Sequence, residues 1–140
     1  MKREEQSRKG TSLLNCSLGT DHMSLRDILS SKKLAELGDS YVNFIFSLAL
    51  SKRMGEPMGV RVKGRVLADA LKMAGLRPIL PSRVDTHAQA DASEAFMVYA
   101  WLHGLISLKE SVETIESKAE RPAEAFSDLL KKIKERMGIV

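Results

Sequence analysis

One cysteine, Cys16, in 140 residues excludes a disulfide framework and a cysteine-based zinc site. Seven methionines beside it fit a reducing, cytoplasmic setting. Asparagine and glutamine together number four (Gln6, Asn15, Asn43, Gln89), a scarcity that leans toward a heat-adapted source. No apolar run reaches the ~18–20 residues of a membrane span. The opening Met1-Lys2-Arg3-Glu4-Glu5 is too polar for a secretory signal. No stretch alternates apolar and polar residues for long enough to make a strand. The three histidines, His22, His87 and His103, share no ligand spacing, and Cys16 carries no catalytic signature.

What is present is an ordinary apolar fraction of 44%, with basic residues exceeding acidic ones by four. That excess is concentrated. Residues 52–83 carry eight basic side chains against Glu56 and Asp69, whereas residues 84–140 carry seven against ten acidic. The basic middle reads either as a phosphate-facing surface or as a solvated face.

Residues 1–22 are polar and punctuated by Gly10 and Gly19, which suggests a flexible lead-in before a single all-α domain over 23–140. Ser24 is suited to cap a short helix carrying Leu25, Ile28 and Leu29. A long run from Lys32 to Met54 follows. It is too long for a buried strand and apolar on nearly every side, so it reads as a central, mostly buried helix stopped by Gly55. Further helices are expected at about 63–74, 86–107, 110–118 and 122–137, five or six in all. Arg77-Pro78-Ile79-Leu80-Pro81 reads as a non-helical connector. Phe96, Tyr99 and Trp101 read as core.

Both long helices carry acids where core residues are expected. Asp39 sits in the first. Asp91 and Glu94, three apart, share a face of the second, with His87 four residues before Asp91. If the helices pack together the three carboxylates can converge, and Gly38 beside Asp39 allows close backbone approach. Converging carboxylates cannot all ionise without a cation, and all-oxygen ligation suits Mg²⁺ or Mn²⁺. The alternative is that each acid pairs with a nearby Arg or Lys across a helix interface.

Leu34-Ala35-Glu36-Leu37-Gly38-Asp39-Ser40 resembles the signature helix of the ribonuclease III endonuclease domain, and Ala90-Asp91-Ala92-Ser93-Glu94-Ala95 resembles its second acidic motif. Val66-Leu67-Ala68-Asp69-Ala70-Leu71 with Gly75-Leu76 is similar to the helix that joins them, so the likeness covers roughly 25–107. The resemblance, to an archaeal-type member, implies a two-fold homodimer with the signature helices at its interface. It also implies one divalent-metal site per protomer and hydrolysis of double-stranded RNA to 5′-phosphate products with short 3′ overhangs. Carried over, Asp39, Asp91 and Glu94 are the metal-binding, catalytic acids.

Two positions depart from the family's pattern. Ala35 and Lys32 stand where acids are usual, one and two turns before Asp39. Glu36 lies about 60° around the helix from Asp39 and is a candidate substitute. Ala35 resembles the compact Mini-III subgroup, which lacks an appended double-stranded-RNA-binding domain. Here only about thirty residues remain beyond the second long helix. Lys32 can neutralise the acids in place of a metal. Arg61, Lys63 and Arg65 are the candidate RNA-binding residues. Two competing readings remain: a catalytically inactive ribonuclease III-fold RNA-binding or dimeric interaction protein, and a helical nucleotide pyrophosphatase, whose Glu-rich paired motif is missing.

Overall fold

The computed structural model describes residues 18–139. The expected flexible lead-in over 1–22 therefore lies mostly outside the described residues. Among those residues the chain is all-α, as anticipated. Six α-helices run in order: α1 (Leu25–Leu29), α2 (Lys32–Met54), α3 (Gly64–Met73), α4 (Thr86–Leu102), α5 (Leu108–Ser117) and α6 (Pro122–Arg136). None of these helices is long and apolar enough to cross a membrane.

Local chemistry sets the helix ends. Ser24 and Asp27 form a reciprocal capping box on α1, each side chain bonding the other's backbone N–H. Ser31 caps α2 by accepting from Leu34 N at 3.1 Å, and Gly55 closes it with φ of 76°. Helix α4 ends at Leu102, five residues short of the expected 107. The chain turns there through His103 and Gly104 (φ 71°), and Ser107 already caps α5. Residues 77–79 form a single 3₁₀ turn inside the expected connector, since a proline is tolerated in a first turn. The Arg77 guanidinium clamps that turn by donating to the carbonyls of Pro81 and Ser82.

The central helix is α4, which buries residues on every side, including Phe96, Met97, Val98 and Ala100. Its most extensive partner is α2. Helix α2 is buried along one face only, where a mostly buried helix was expected. Leu34, Ala35, Gly38, Tyr41, Val42, Ile45, Phe46 and Ala49 repeat at three and four and face the core. On the other side Leu37 and Phe44 remain 40% and 55% exposed. An apolar residue type does not reveal which side of a helix has a neighbour, so an exposed apolar stripe reads in sequence like a core face. Phe96 is fully buried as expected, whereas Tyr99 and Trp101 are only partly so.

Polar bonds inside the bundle fix how the helices sit. The Tyr41 hydroxyl meets Ser111 Oγ at 2.9 Å, joining α2 to α5. The Ser93 hydroxyl donates to Leu67 O at 2.8 Å, joining α4 to α3. Each satisfies a buried polar group that would otherwise cost about 1–3 kcal/mol.

The tightest point is between α2 and α4. A Cβ placed on Gly38 would lie 2.2 Å from the backbone oxygen of Glu94 and 3.0 Å from its Cβ. Backbone cannot yield as a flexible side chain can. Gly38→Ala is therefore expected to destabilise the protein by about 3 kcal/mol, the upper end of overpacking costs, seen as a lower urea midpoint at constant m-value. An unchanged midpoint would show that the two helices have room to separate.

Candidate active site

The approach at Gly38 puts the residue after it, Asp39, against Glu94 across the helix interface. A cleft of about 660 Å³ opens there. Helix α2 lines it with Lys32, Ala35, Glu36 and Asp39, and α4 with His87, Ala88, Asp91 and Glu94; Arg61 and Asp85 complete the wall.

Glu94 is the buried member, only 7% exposed. Burial raises its carboxyl pKa to about 8 from an ordinary 4.5, helped by its hydrogen bond to Asp39 and by the negative charges of Asp39 and Asp91; Arg61 opposes the rise in part. The protonated form of Glu94 is thereby favoured well above the ordinary carboxylate range. Asp39 is further held by Asn43, whose Nδ2 donates to its Oδ1 at 3.1 Å and to its main-chain oxygen at 2.8 Å. Arg61, 81% exposed at its side chain, reaches Asp39 Oδ2 at 3.7 Å, a loose, solvent-screened pair. Asp91 turns to His87, with Oδ2 3.5 Å from Nε2. Asp85 caps α4 by accepting from Ala88 N at 2.8 Å.

The sequence comparison aligns residues 32–139 with the family model described as Ribonuclease III. This chain belongs to the ribonuclease III family. No curated protein matches it.

In this ribonuclease III domain the candidate acids Asp39, Asp91, Glu94 and Glu36 line one cleft, as does the candidate RNA contact Arg61. Lys32 and Ala35 line it too. Lys63 and Arg65 do not. Lys63 is the exposed residue preceding α3, and Arg65 pairs with Asp69 at 3.6 Å. Sequence reasoning missed Asn43 and Asp85. The available signal for Asn43 is the polar spacing Asn43, Ser47, Ser51, four residues apart along a helix that is apolar on nearly every side.

Among the described residues no three His, Cys, Asp or Glu side chains are grouped closely enough to hold a metal ion as they stand. The Glu94–Asp39 hydrogen bond, the Asn43 amide, Arg61 and His87 instead engage the acids separately. The donor set nonetheless fits a hard divalent cation: it is all oxygen, and burial beside two other acids raises the pKa of its innermost carboxyl, a rise that a bound cation would oppose.

The raised pKa fixes the sign of a pH effect. Between about 4.5 and about 8 the folded protein holds the Glu94 proton and the unfolded chain does not. Stability of the chelator-treated protein should therefore fall as pH rises through that window. Glu94→Gln, neutral throughout, should flatten this decline in urea-unfolding series between pH 5 and 8.5. Parallel pH profiles for the two proteins would contradict the shift.

Proposed function

We propose that this domain is a divalent-metal-dependent endoribonuclease that hydrolyses phosphodiester bonds in double-stranded or structured RNA. The observation that carries the reading is the buried Glu94 carboxyl bonded to Asp39, with Asp91 in the same cleft. Family membership supports it. Asp39, Asp91 and Glu94 would hold Mg²⁺ or Mn²⁺, with Glu36 at the same wall. When bound, such an ion supplies Lewis-acid stabilisation of charge on a phosphodiester. The protein's own tasks are to give up the Glu94 proton, to swing Asp91 away from His87 and to hold Asp39 still. Arg61, Lys63 and Arg65 would meet backbone phosphates, so binding should weaken steeply with salt and follow duplex shape rather than sequence. The setting we infer is the cytoplasm, and the subtype archaeal and Mini-III-like.

A homodimer belongs to the same proposal. Leu37 and Phe44 form an exposed apolar stripe on α2, and beside Phe44 lies a groove of about 500 Å³ lined by Leu48, Pro57 and Met58. A second copy's α2 would cover both.

The competing reading is a non-catalytic ribonuclease III fold that binds RNA or serves as a dimeric module. It is favoured by Lys32 and Ala35 in the cleft and by the absence, among the described residues, of a ready metal-holding group. Incubation with a long RNA duplex separates the two. The nuclease reading expects cleavage that needs Mg²⁺ or Mn²⁺ and falls about 100-fold or more in Asp91→Asn, beyond the 10–100-fold cost of losing a ligand's neighbour. Duplex binding indifferent to chelator, with no cutting, would leave the competing reading standing. Phe44→Glu should convert a dimer to monomer in sedimentation at micromolar concentration; a wild type that sediments as monomer would remove the dimer from the proposal.

A further inference from the structure

Residues 57–63 join α2 to α3 without regular secondary structure, yet they are fastened along α2 at regular intervals. Ser51 Oγ accepts from Met58 N at 2.9 Å. Ser47 Oγ accepts from Val60 N at 2.8 Å and donates to Val60 O at 2.9 Å. Asn43 Oδ1 accepts from Val62 N at 2.7 Å. Four helical residues rise about 6.0 Å and two extended residues span about 6.6 Å, so the two spacings match and the strap runs antiparallel to the helix.

The three fastenings differ in what else they touch. Those at Ser47 and Ser51 end on the helix itself. The one at Asn43 continues into the acidic cleft. A backbone N–H can only donate, so the Asn43 atom facing Val62 must be its oxygen. Its amino group is thereby committed to the Asp39 carboxylate and main-chain oxygen. One side chain thus fixes both the Asp39 carboxylate and the strap beside Arg61, whose guanidinium reaches the other oxygen of the same carboxylate.

We propose that Asn43 is a positioning residue that locks Asp39 in the orientation needed to bind a divalent cation and ties the Arg61 strap to it. The inference rests on the nuclease reading's assignment of Asp39 as a metal-binding acid. It differs from a purely structural role because the strap could be held by Ser47 and Ser51 alone.

The test is Mn²⁺ affinity, read by the loss of free-ion electron paramagnetic resonance signal, in wild type, Asn43→Ala, Asn43→Leu and Ser47→Ala. Asn43→Leu keeps side-chain bulk and gains helix propensity, which guards against a folding defect. Both Asn43 variants should bind Mn²⁺ about 10–100-fold more weakly, the usual cost of removing a ligand's orienting partner. Ser47→Ala, which frees the strap without touching Asp39, should stay within about threefold of wild type. If wild type binds Mn²⁺ and the Asn43 variants match it, or if Ser47→Ala weakens binding equally, the inference fails by itself. A wild type that holds no Mn²⁺ overturns the nuclease reading and this inference with it.

Discussion

The close passage of α2 over α4 at Gly38 is the constraint on which the candidate site depends. A helix normally keeps its neighbour 8–10 Å away because side chains intervene. Here no side chain intervenes, and the Glu94 backbone occupies the space a Cβ would fill. The consequence is electrostatic as much as steric. Residues 39 and 94 are carried so close that their carboxyls share a hydrogen bond, in surroundings where the charged form is poorly solvated.

An acid pair of that kind is unfavourable for a scaffold. Buried, well-packed apolar residues would serve stability as well or better. The surrounding groups relieve the strain only in part: Arg61 is too exposed to neutralise much, His87 is taken by Asp91, and the Glu94 pKa stays raised. Burial, like charge and a cleft open to solvent are the features that cluster at functional carboxylates, although structural ion-pair networks share some of them. This is why the pair supports the nuclease proposal more strongly than membership of the family alone, since fold does not fix activity.

Much of this was legible in residue types and spacing. Length and period-3.6 patterning gave the helices, and the acids in two long apolar helices pointed to a common cleft, which Asp39, Asp91 and Glu94 line without being grouped closely enough to hold a metal ion as they stand. Gly38 was readable as a close approach because glycine beside an acid in a core helix has few other uses. Other features were not readable. Whether Leu37 and Phe44 face a neighbour or solvent depends on packing, which residue type does not encode. The break after Leu102 depends on Gly104 adopting positive φ where an apolar pattern continued. Asn43 was hidden because its partners, Asp39 and Val62, lie 4 and 19 residues away on different elements. The placement of Arg61 opposite Asp39 follows only once the strap's register is known.

The central claim is that the Asp39, Asp91 and Glu94 carboxylates close around a divalent cation. Soaking crystals in Mn²⁺ near pH 8 and measuring anomalous diffraction tests it most directly. The account predicts one strong peak in the cleft about 2.1 Å from oxygens of all three residues, with Arg61 displaced from Asp39. A cleft without anomalous density, in which Asp91 still faces His87 and Arg61 still faces Asp39, would contradict it.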